Sequence, residues 1–137
     1  MLHPDKAHHD IYVIGSQESL ASITGSIFTP SKEKMNQMVQ ECLGENYAMV
    51  SSVSLQATHM VIFMHVRLFP LLKKIETDTL ATGWKNLMGN KGAVKVSFTF
   101  ARKTFTFINC HLHSGQNGVH KRNSDITQVL NSFVRGI

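Results

Sequence analysis

Two stretches of alternating apolar and polar residues, joined by a short basic turn, constrain this chain more than any other feature of its sequence. In residues 93–100 every second side chain is apolar, and residues 105–112 alternate in the same way after a turn at 101–104. Successive side chains of a strand point to opposite faces of a sheet. The period of two therefore predicts a β-hairpin with one buried face.

The second strand of this hairpin changes character at its C-terminal end. Phe105 and Phe107 share a face with Asn109 and His111, so that face is apolar at the start and polar where the strand stops. Strand ends and the loops beyond them commonly carry functional side chains. Asn109 and His111 are therefore candidate site residues, although a lone histidine here also suits a structural role.

A glycine-bracketed loop precedes the hairpin, with Gly89 and Gly92 enclosing Asn90 and Lys91. Glycine permits positive φ and a close approach of the backbone to a ligand. Successive backbone N–H groups in such a turn can hold an anion, and the lysine adds a positive charge. The same residues also suit an ordinary turn that feeds a strand, and the spacing alone leaves both interpretations open.

A short apolar run at residues 11–14 is followed by Gly15, Gln17 and Glu18. A continuous apolar run bounded by glycine predicts a strand buried on both faces. A carboxylate just beyond such a strand suits a hard cation such as Mg²⁺, with Gln17 as a hydrogen-bonding support. A solvated loop glutamate is the alternative interpretation.

Two segments show the helical period. Residues 35–43 carry an apolar stripe that ends at Gly44, and Ser31 is a candidate N-cap for this helix. Residues 121–135 repeat the same spacing. The two cysteines, Cys42 in the first helix and Cys110 in the hairpin, are expected to be buried and free of disulfides.

Three more strands are predicted between the first helix and the glycine loop, at 47–55, 59–68 and 73–80, the last at a sheet edge. His59 and His65 are interpreted as structural residues on opposite faces of the second of these strands. The predicted element order is β-α-β-β-β-β-β-α.

Composition narrows the class of protein. The 137 residues fit one domain, preceded by a polar lead-in at residues 1–9 that has no signal-peptide core. The net charge of +5 suits an anionic partner such as phosphate, a phosphoinositide surface or nucleic acid. No stretch approaches membrane-spanning length. We expect a cytoplasmic location, with any membrane contact peripheral.

Several blocks of the sequence together resemble the inositol polyphosphate 5-phosphatases. They occur in that family's order: residues 10–18, the Gly-Asn-Lys-Gly-Ala-Val block at 89–94, the Asn-Cys-His-Leu block at 109–112, and Arg122-Asn123 with Asp125. The joint match is far more specific than any one block. The resemblance implies an α/β fold, part of a two-layer β-sandwich flanked by helices, of the DNase I-like endonuclease/exonuclease/phosphatase type.

The resemblance also implies a function. It is the Mg²⁺-dependent hydrolysis of the 5-phosphate of a phosphoinositide head group or a soluble inositol polyphosphate, with a membrane surface as a peripheral partner. Residues 10–137 would form an incomplete catalytic domain, since the family's Gly-Asp-x-Asn and Ser-Asp-His blocks do not occur in this sequence. The segment by itself is therefore expected to be inactive.

Site residues follow from the same resemblance. His111 matches the catalytic histidine that hydrogen-bonds the scissile phosphate, and Glu18 matches the metal-binding carboxylate. The remaining candidates are substrate-binding residues Asn90, Lys91, Lys85 and Arg122, and supporting residues Gln17, Asn109, Gly89 and Gly92.

Two alternative functions remain open at this stage. One is a metal-dependent nuclease of the same fold, which the basic composition suits. The other is a non-catalytic phosphoinositide-binding module, such as a truncated isoform. The Gly-Asn-Lys-Gly-Ala-Val block favours inositol phosphates, so nucleic acid is not an expected partner.

Overall fold

The structure, a computed structural model, describes residues 9–18, 32–82 and 91–134. Its elements follow the predicted order: β1 Ile11–Ser16, α1 Lys32–Leu43, β2 Tyr47–Leu55, β3 Thr58–His65, β4 Leu72–Ala81, β5 Gly92–Phe100, β6 Lys103–His111 and α2 Val119–Phe133. Short 3₁₀ turns occur at Val66–Leu71 and Gln116–Gly118. Neither of the helices described is long and apolar enough to cross a membrane.

Some predictions fall outside the described residues. They concern the lead-in at 1–8, the N-cap Ser31, and the site candidates Lys85, Gly89 and Asn90.

The strands form two antiparallel sheets of three strands each, in the orders β1-β3-β2 and β4-β5-β6. In this arrangement β3 and β5 are the central strands. Strand β4 lies at the outside of its sheet in the described part of the chain, as the polar segment 73–80 predicted. Its exposed side chains and the bulge between Lys73 and Glu76 are typical of an edge strand.

The main core lies between the two sheets, because both central strands turn apolar side chains toward each other. The residues of this cluster are Met60, Ile62 and Met64 of β3 and Val94, Val96 and Phe98 of β5. All are at most 2% exposed. Burial of each such side chain contributes about 1.5–3 kcal/mol before entropy is subtracted. The alternation in the sequence correctly predicted the inward face of β5.

Each helix covers the outer face of one sheet. Leu43 of α1 packs with Val61 and Phe63 on the back of β3, and a second cluster joins Ala93 of β5 to Val129 and Phe133 of α2. The result is a two-layer β-sandwich flanked by helices, which confirms the predicted fold class.

The prediction that the strand at 11–14 is buried on both faces is wrong. Strand β1 pairs only with β3 among the described strands, and Val13 is 37% exposed. The fully buried strand is β3, whose residues Thr58 to Met64 are all buried. A short apolar run indicates a strand but does not specify whether one or two neighbours flank it.

The predicted burial of Cys42 is also wrong, since that thiol is exposed. Helix α1 meets the sheet through Val39 and Leu43, whereas Met38 on the same predicted stripe is 50% exposed. Helix α1 packs against the sheet along only one edge of its apolar stripe, so residues on the other edge are exposed. Cys110, by contrast, is partly buried, and burial raises the pKa of its thiol.

His59 and His65 lie on one face of β3, not on opposite faces, because six residues are three full strand periods. Their face is that of Val61 and Phe63, which α1 covers. His59 is wholly buried. Its Nδ1 lies 2.7 Å from Ser54 Oγ and its Nε2 lies 2.9 Å from Asn36 Oδ1. A neutral ring satisfies both contacts if Nε2 donates and Nδ1 accepts.

We expect His59 to make the fold sensitive to acid. Burial, followed by the nearby charge of Lys32, lowers the pKa of His59 in the folded state. The unfolded chain takes up a proton near pH 6.5 that the folded chain does not. The contribution of His59 to the free energy of unfolding is therefore constant above about pH 6.5 and falls below it. Urea unfolding at several pH values between neutral and mildly acidic would show this decline. His59→Gln should reduce this decline in stability with falling pH, whereas His120→Gln on the exposed surface of α2 should not. If stability falls equally with pH in the wild-type protein and both variants, His59 is not the source of the acid sensitivity.

The hairpin turn is tighter than predicted. Strand β5 ends at Phe100 and β6 begins at Lys103, so only Ala101 and Arg102 form the turn. Both have positive φ, 47° and 69°, as a two-residue turn of type I′ requires. Asn and Gly fill these positions readily, whereas other residues incur a cost on the order of 1 kcal/mol each.

Candidate functional site

One end of the sandwich brings together the end of β1, the start of β5 and the end of β6. Glu18 follows β1, Lys91 precedes β5, and His111 is the last residue of β6. The Nε2 atom of His111 lies 2.8 Å from Lys91 Nζ and 3.6 Å from Glu18 Oε1. Residues far apart in the sequence thus converge as predicted, while their functional roles stay predictions.

The imidazole of His111 is buried, whereas the Glu18 side chain is 76% exposed. An ammonium group has only donors, so Lys91 donates to Nε2 and the ring proton resides on Nδ1. That Nδ1 atom is buried and has no hydrogen-bond partner in the described part of the chain. Nε2 is therefore the ring atom that faces the two charged groups, with the carboxylate on the solvent side.

Other unsatisfied polar atoms lie at the same end. Ser16 Oγ, Thr58 Oγ1 and Thr82 Oγ1 are buried without a partner among the described residues, as is the Nδ1 of His111. Strand pairing places Ser16 beside His59, and β4 ends next to the Gly92–His111 pair. Unsatisfied buried groups are uncommon, and each is unfavourable by about 1–3 kcal/mol. These atoms lie at the same end of the sandwich as Glu18, Lys91 and His111.

Asn109 connects the two sheets directly beneath this site. Its Nδ2 donates to the carbonyl oxygens of Ser16 at 3.1 Å and His59 at 2.9 Å. Its Oδ1 accepts a 2.6 Å hydrogen bond from Gln17 Nε2, which also lies 3.2 Å from the oxygen of Cys110. The amide of Asn109 thus uses both of its donor hydrogens and its acceptor. Gln17 and Asn109, both predicted as supporting residues, thus fix the ends of β1 and β6 relative to each other. Glu18 follows the end of β1, and His111 is the last residue of β6.

Gly92 has a packing role in this structure. A Cβ atom at this position would lie 2.3 Å from the carbonyl oxygen of Leu80 and 2.6 Å from Leu55 Cδ2. Strands β4 and β2 therefore approach β5 too closely for any side chain. The sequence suggested that this glycine lets the backbone approach a ligand; in the structure it lets three strands meet.

Arg122, a predicted substrate ligand, is engaged with the backbone. Its Nη1 donates to the oxygens of Gly115 at 2.7 Å and His113 at 3.3 Å. This nitrogen holds the loop after β6 against the start of α2. Contact with substrate remains a prediction for Arg122, as it does for Lys85 and Asn90 beyond the described ranges.

Sequence reasoning missed a hydrogen-bonded pair next to the site. Asp125 of α2 is 2% exposed, and its Oδ2 lies 2.7 Å from His113 Nδ1 and accepts from the His113 backbone N–H at 3.1 Å. A signal was available, because Asp125 is in helical register with the buried Val129 and Phe133. A carboxylate on an apolar stripe needs a buried partner.

The described residues contain no group of three or more His, Cys, Asp or Glu side chains that could hold a metal ion alone. Mg²⁺ does not require one, because it keeps several waters and often binds through one or two carboxylates and the phosphates of a substrate. The exposed carboxylate of Glu18 fits such a site as a single protein ligand. Lys91 supplies a positive charge for an anion beside it.

A helix-flanked β-sandwich with a carboxylate, an imidazole and an ammonium at one end defines a protein that can hold an anion next to a hard cation. Comparison with known families agrees with this class. The chain matches the family described as Endonuclease/Exonuclease/phosphatase family 2 over residues 1–136. It belongs to that family.

Several curated relatives are named as phosphoinositide phosphatases. Human synaptojanin-2 is 29% identical over 130 residues, which cover 91% of this chain and 9% of that protein. The polyphosphatidylinositol phosphatase INP53 of Saccharomyces cerevisiae is 31% identical, covering 97% and 12%. Phosphatidylinositol 3,4,5-trisphosphate 5-phosphatase 1 of Xenopus laevis is 32% identical, covering 96% and 12%. The chain thus spans about a tenth of the length of these relatives.

Solved structures give the same result. The inositol polyphosphate 5-phosphatase domain of SPsynaptojanin, in complex with inositol (1,4)-bisphosphate and calcium ion, matches with a TM-score of 0.77 and 27% identity. The match covers 90% of this chain and 37% of that domain. Cimex nitrophorin matches with a TM-score of 0.56 at 14% identity, which shows a shared fold only. The predicted resemblance to the inositol polyphosphate 5-phosphatases is confirmed.

Proposed function

We propose that this chain forms part of an enzyme that hydrolyses the 5-phosphate of phosphoinositides or inositol polyphosphates. The names of its relatives and the inositol bisphosphate in its structural neighbour support this substrate class. The observation that carries the proposal is the convergence of Glu18, Lys91 and His111 at one end of the sandwich.

Each of the three side chains has a distinct task in this proposal. Lys91 attracts the phosphate, because its ammonium is a point charge at the start of β5. The Nε2 atom of His111 accepts from Lys91 in the free protein; in this proposal it gives up that contact, takes up a proton and donates a hydrogen bond to the scissile phosphate, where negative charge develops. The hydrogen bonds of Asn109 and Gln17 keep the ends of β6 and β1 at a fixed separation, so these groups are held in place before substrate binds.

We further propose Mg²⁺ as the metal and Glu18 as its ligand in this chain. When bound, Mg²⁺ neutralises phosphate charge and acts as a Lewis acid. The structural neighbour contains calcium, which shares the preference of Mg²⁺ for oxygen ligands. We also propose that the protein is cytoplasmic and meets lipid head groups at the membrane surface. Cell fractionation would test this location.

We expect the 137-residue chain to bind a soluble inositol trisphosphate in the presence of Mg²⁺ while releasing little phosphate from it. One carboxylate near His111 is enough to assist binding, whereas hydrolysis also requires a group that orients the attacking water. Lys91→Ala and His111→Gln should each weaken binding at least about tenfold, or 1.4 kcal/mol. Isothermal titration calorimetry and a phosphate-release assay on the same samples would measure both properties.

Lys34→Ala is the matched control, because it removes one positive charge from an exposed position on α1. Absence of binding, or an equal loss in the Lys34→Ala protein, would contradict the proposed site. Turnover at rates typical of enzymes, about 1–1,000 per second, would leave the substrate class intact but refute the expected inactivity of the chain alone.

A further inference from the structure

A second concave surface lies at the opposite end of the sandwich from the candidate active site. It is a cleft of about 430 Å³ lined by Pro70, Leu71, Lys73, Thr99, Ala101 and Arg102. The hairpin separates the two ends, since His111 pairs with Gly92 at one end and Lys103 pairs with Phe100 at the other. At about 3.4 Å per residue, eight residue steps along an antiparallel strand span roughly 27 Å.

The rim of this cleft is positively charged. Two of the residues that line it, Lys73 and Arg102, are cations, and both are exposed. The ion pairs found in the described ranges join other residues, so neither of these two cations is paired with a described carboxylate. Like charges gathered without counter-charges favour an anionic partner.

The wall of the cleft is apolar. Leu71 is 49% exposed and lies beside Pro70. An exposed leucine alone is unremarkable, but this one lines a concavity that two cations also line. This combination of an apolar wall and a few charged groups is typical of a recognition site, in which the apolar part supplies affinity and the charges supply orientation.

The backbone around the cleft is unusual as well. Lys74, Ala101 and Arg102 have positive φ values of 53°, 47° and 69°. The β4 bulge begins next to Lys73, and bulges re-aim side chains at sheet edges. Arg102 thus stands in a turn position that Asn or Gly would fill with less strain. Non-glycine residues in this conformation tend to occur at functional sites.

We propose that this cleft binds an acidic peptide segment. Carboxylates of the peptide pair with Arg102 and Lys73, and one apolar side chain inserts against Leu71. A peptide fits better than a membrane because the two cations line a concavity, whereas a lipid surface requires a flat or protruding contact. The distance to the other end gives a second reason, which rests on the proposed function: a membrane at this end would lie roughly 27 Å from the site that binds its head groups.

The test uses fluorescence anisotropy with the full 137-residue chain. The probe is a fluorescein-labelled peptide with a central leucine between two pairs of aspartate and glutamate. The decisive variant is Ala101→Asn combined with Arg102→Gly, because Asn-Gly is the preferred sequence for this turn. It should weaken peptide binding at least about tenfold, and raise Tm by roughly 4 °C or more. A loss of binding in a more stable protein cannot arise from unfolding.

Three comparisons sharpen the result. Lys73→Ala should also weaken binding, whereas Lys34→Ala, which removes the same charge from α1, should leave it unchanged. Replacing the leucine of the peptide with alanine should weaken binding, and a soluble inositol trisphosphate should not compete with the peptide.

Four outcomes would overturn the proposal. They are absence of peptide binding, an equal loss in the Lys34→Ala protein, full competition by the inositol trisphosphate, and preferential binding of phosphatidylserine vesicles that is lost in the turn variant. The last would assign the cleft to a membrane instead. None of these outcomes depends on phosphate release, so the proposal stands or falls separately from the proposed enzymatic function.

Discussion

Asn109→Asp should destabilise the chain by about 3 kcal/mol, although the two side chains have nearly the same shape. The amide of Asn109 donates to the carbonyl oxygens of Ser16 and His59 and accepts from Gln17. An aspartate keeps an acceptor for Gln17 but loses both donors. It would also place a negatively charged oxygen against two carbonyl oxygens in the partly buried space between the sheets.

Urea unfolding would measure this loss. Asn117→Asp is the matched control, since Asn117 is exposed in the short 3₁₀ turn before α2 and its substitution should change stability by no more than about 0.5 kcal/mol. The Asn109 variant should also bind inositol trisphosphate more weakly, because β1 and β6 carry Glu18 and His111. If both Asp variants unfold at the same urea concentration, Asn109 does not join the sheets as described.

Gly92→Ala should be about as severe, at 3 kcal/mol or more, because overpacking against a backbone atom leaves little room to relax. The added methyl would meet the Leu80 carbonyl oxygen at 2.3 Å and Leu55 Cδ2 at 2.6 Å. Strand β4 would have to move away from the start of β5. Lys91 immediately precedes that point, so the position of its ammonium relative to His111 would change as well.

Gly44→Ala separates steric overlap from backbone strain. Gly44 has a φ of +79° with open space around its Cβ position, so only the strain of the left-handed conformation applies, at about 1 kcal/mol. Thermal unfolding of the two variants should therefore differ by roughly 2 kcal/mol or more in stability. A Gly92→Ala protein as stable as Gly44→Ala would show that the strands are less closely packed than described.

Local pattern predicted the elements of this fold well. The alternation in residues 93–100 identified both faces of β5, and the helical spacing located α2 to within two residues at its start. These predictions succeeded because each depends only on neighbours in the sequence. The predicted burial of Val13 and Cys42 was wrong because burial depends on which helices and strands pack against a residue. Neither residue is covered by a neighbouring element in the described structure.

The candidate site required more than local pattern. Gln17 and Asn109 are 92 residues apart, and nothing in their spacing shows that their side chains meet. The family resemblance supplied Glu18, Lys91 and His111, but it did not reveal the bond between His113 and the buried Asp125. It also suggested Arg122 as a ligand, whereas the structure shows its guanidinium holding backbone oxygens.

By itself the sequence determined the order of the strands and helices, the inward face of the hairpin and, through its motifs, the family. The tertiary structure decided which strands are central, why Gly92 cannot carry a side chain, and that a basic cleft lies at the end opposite His111. The physical reason is that periodicity is encoded in adjacent residues. Burial, steric contact and the grouping of charges arise only when distant segments are brought together.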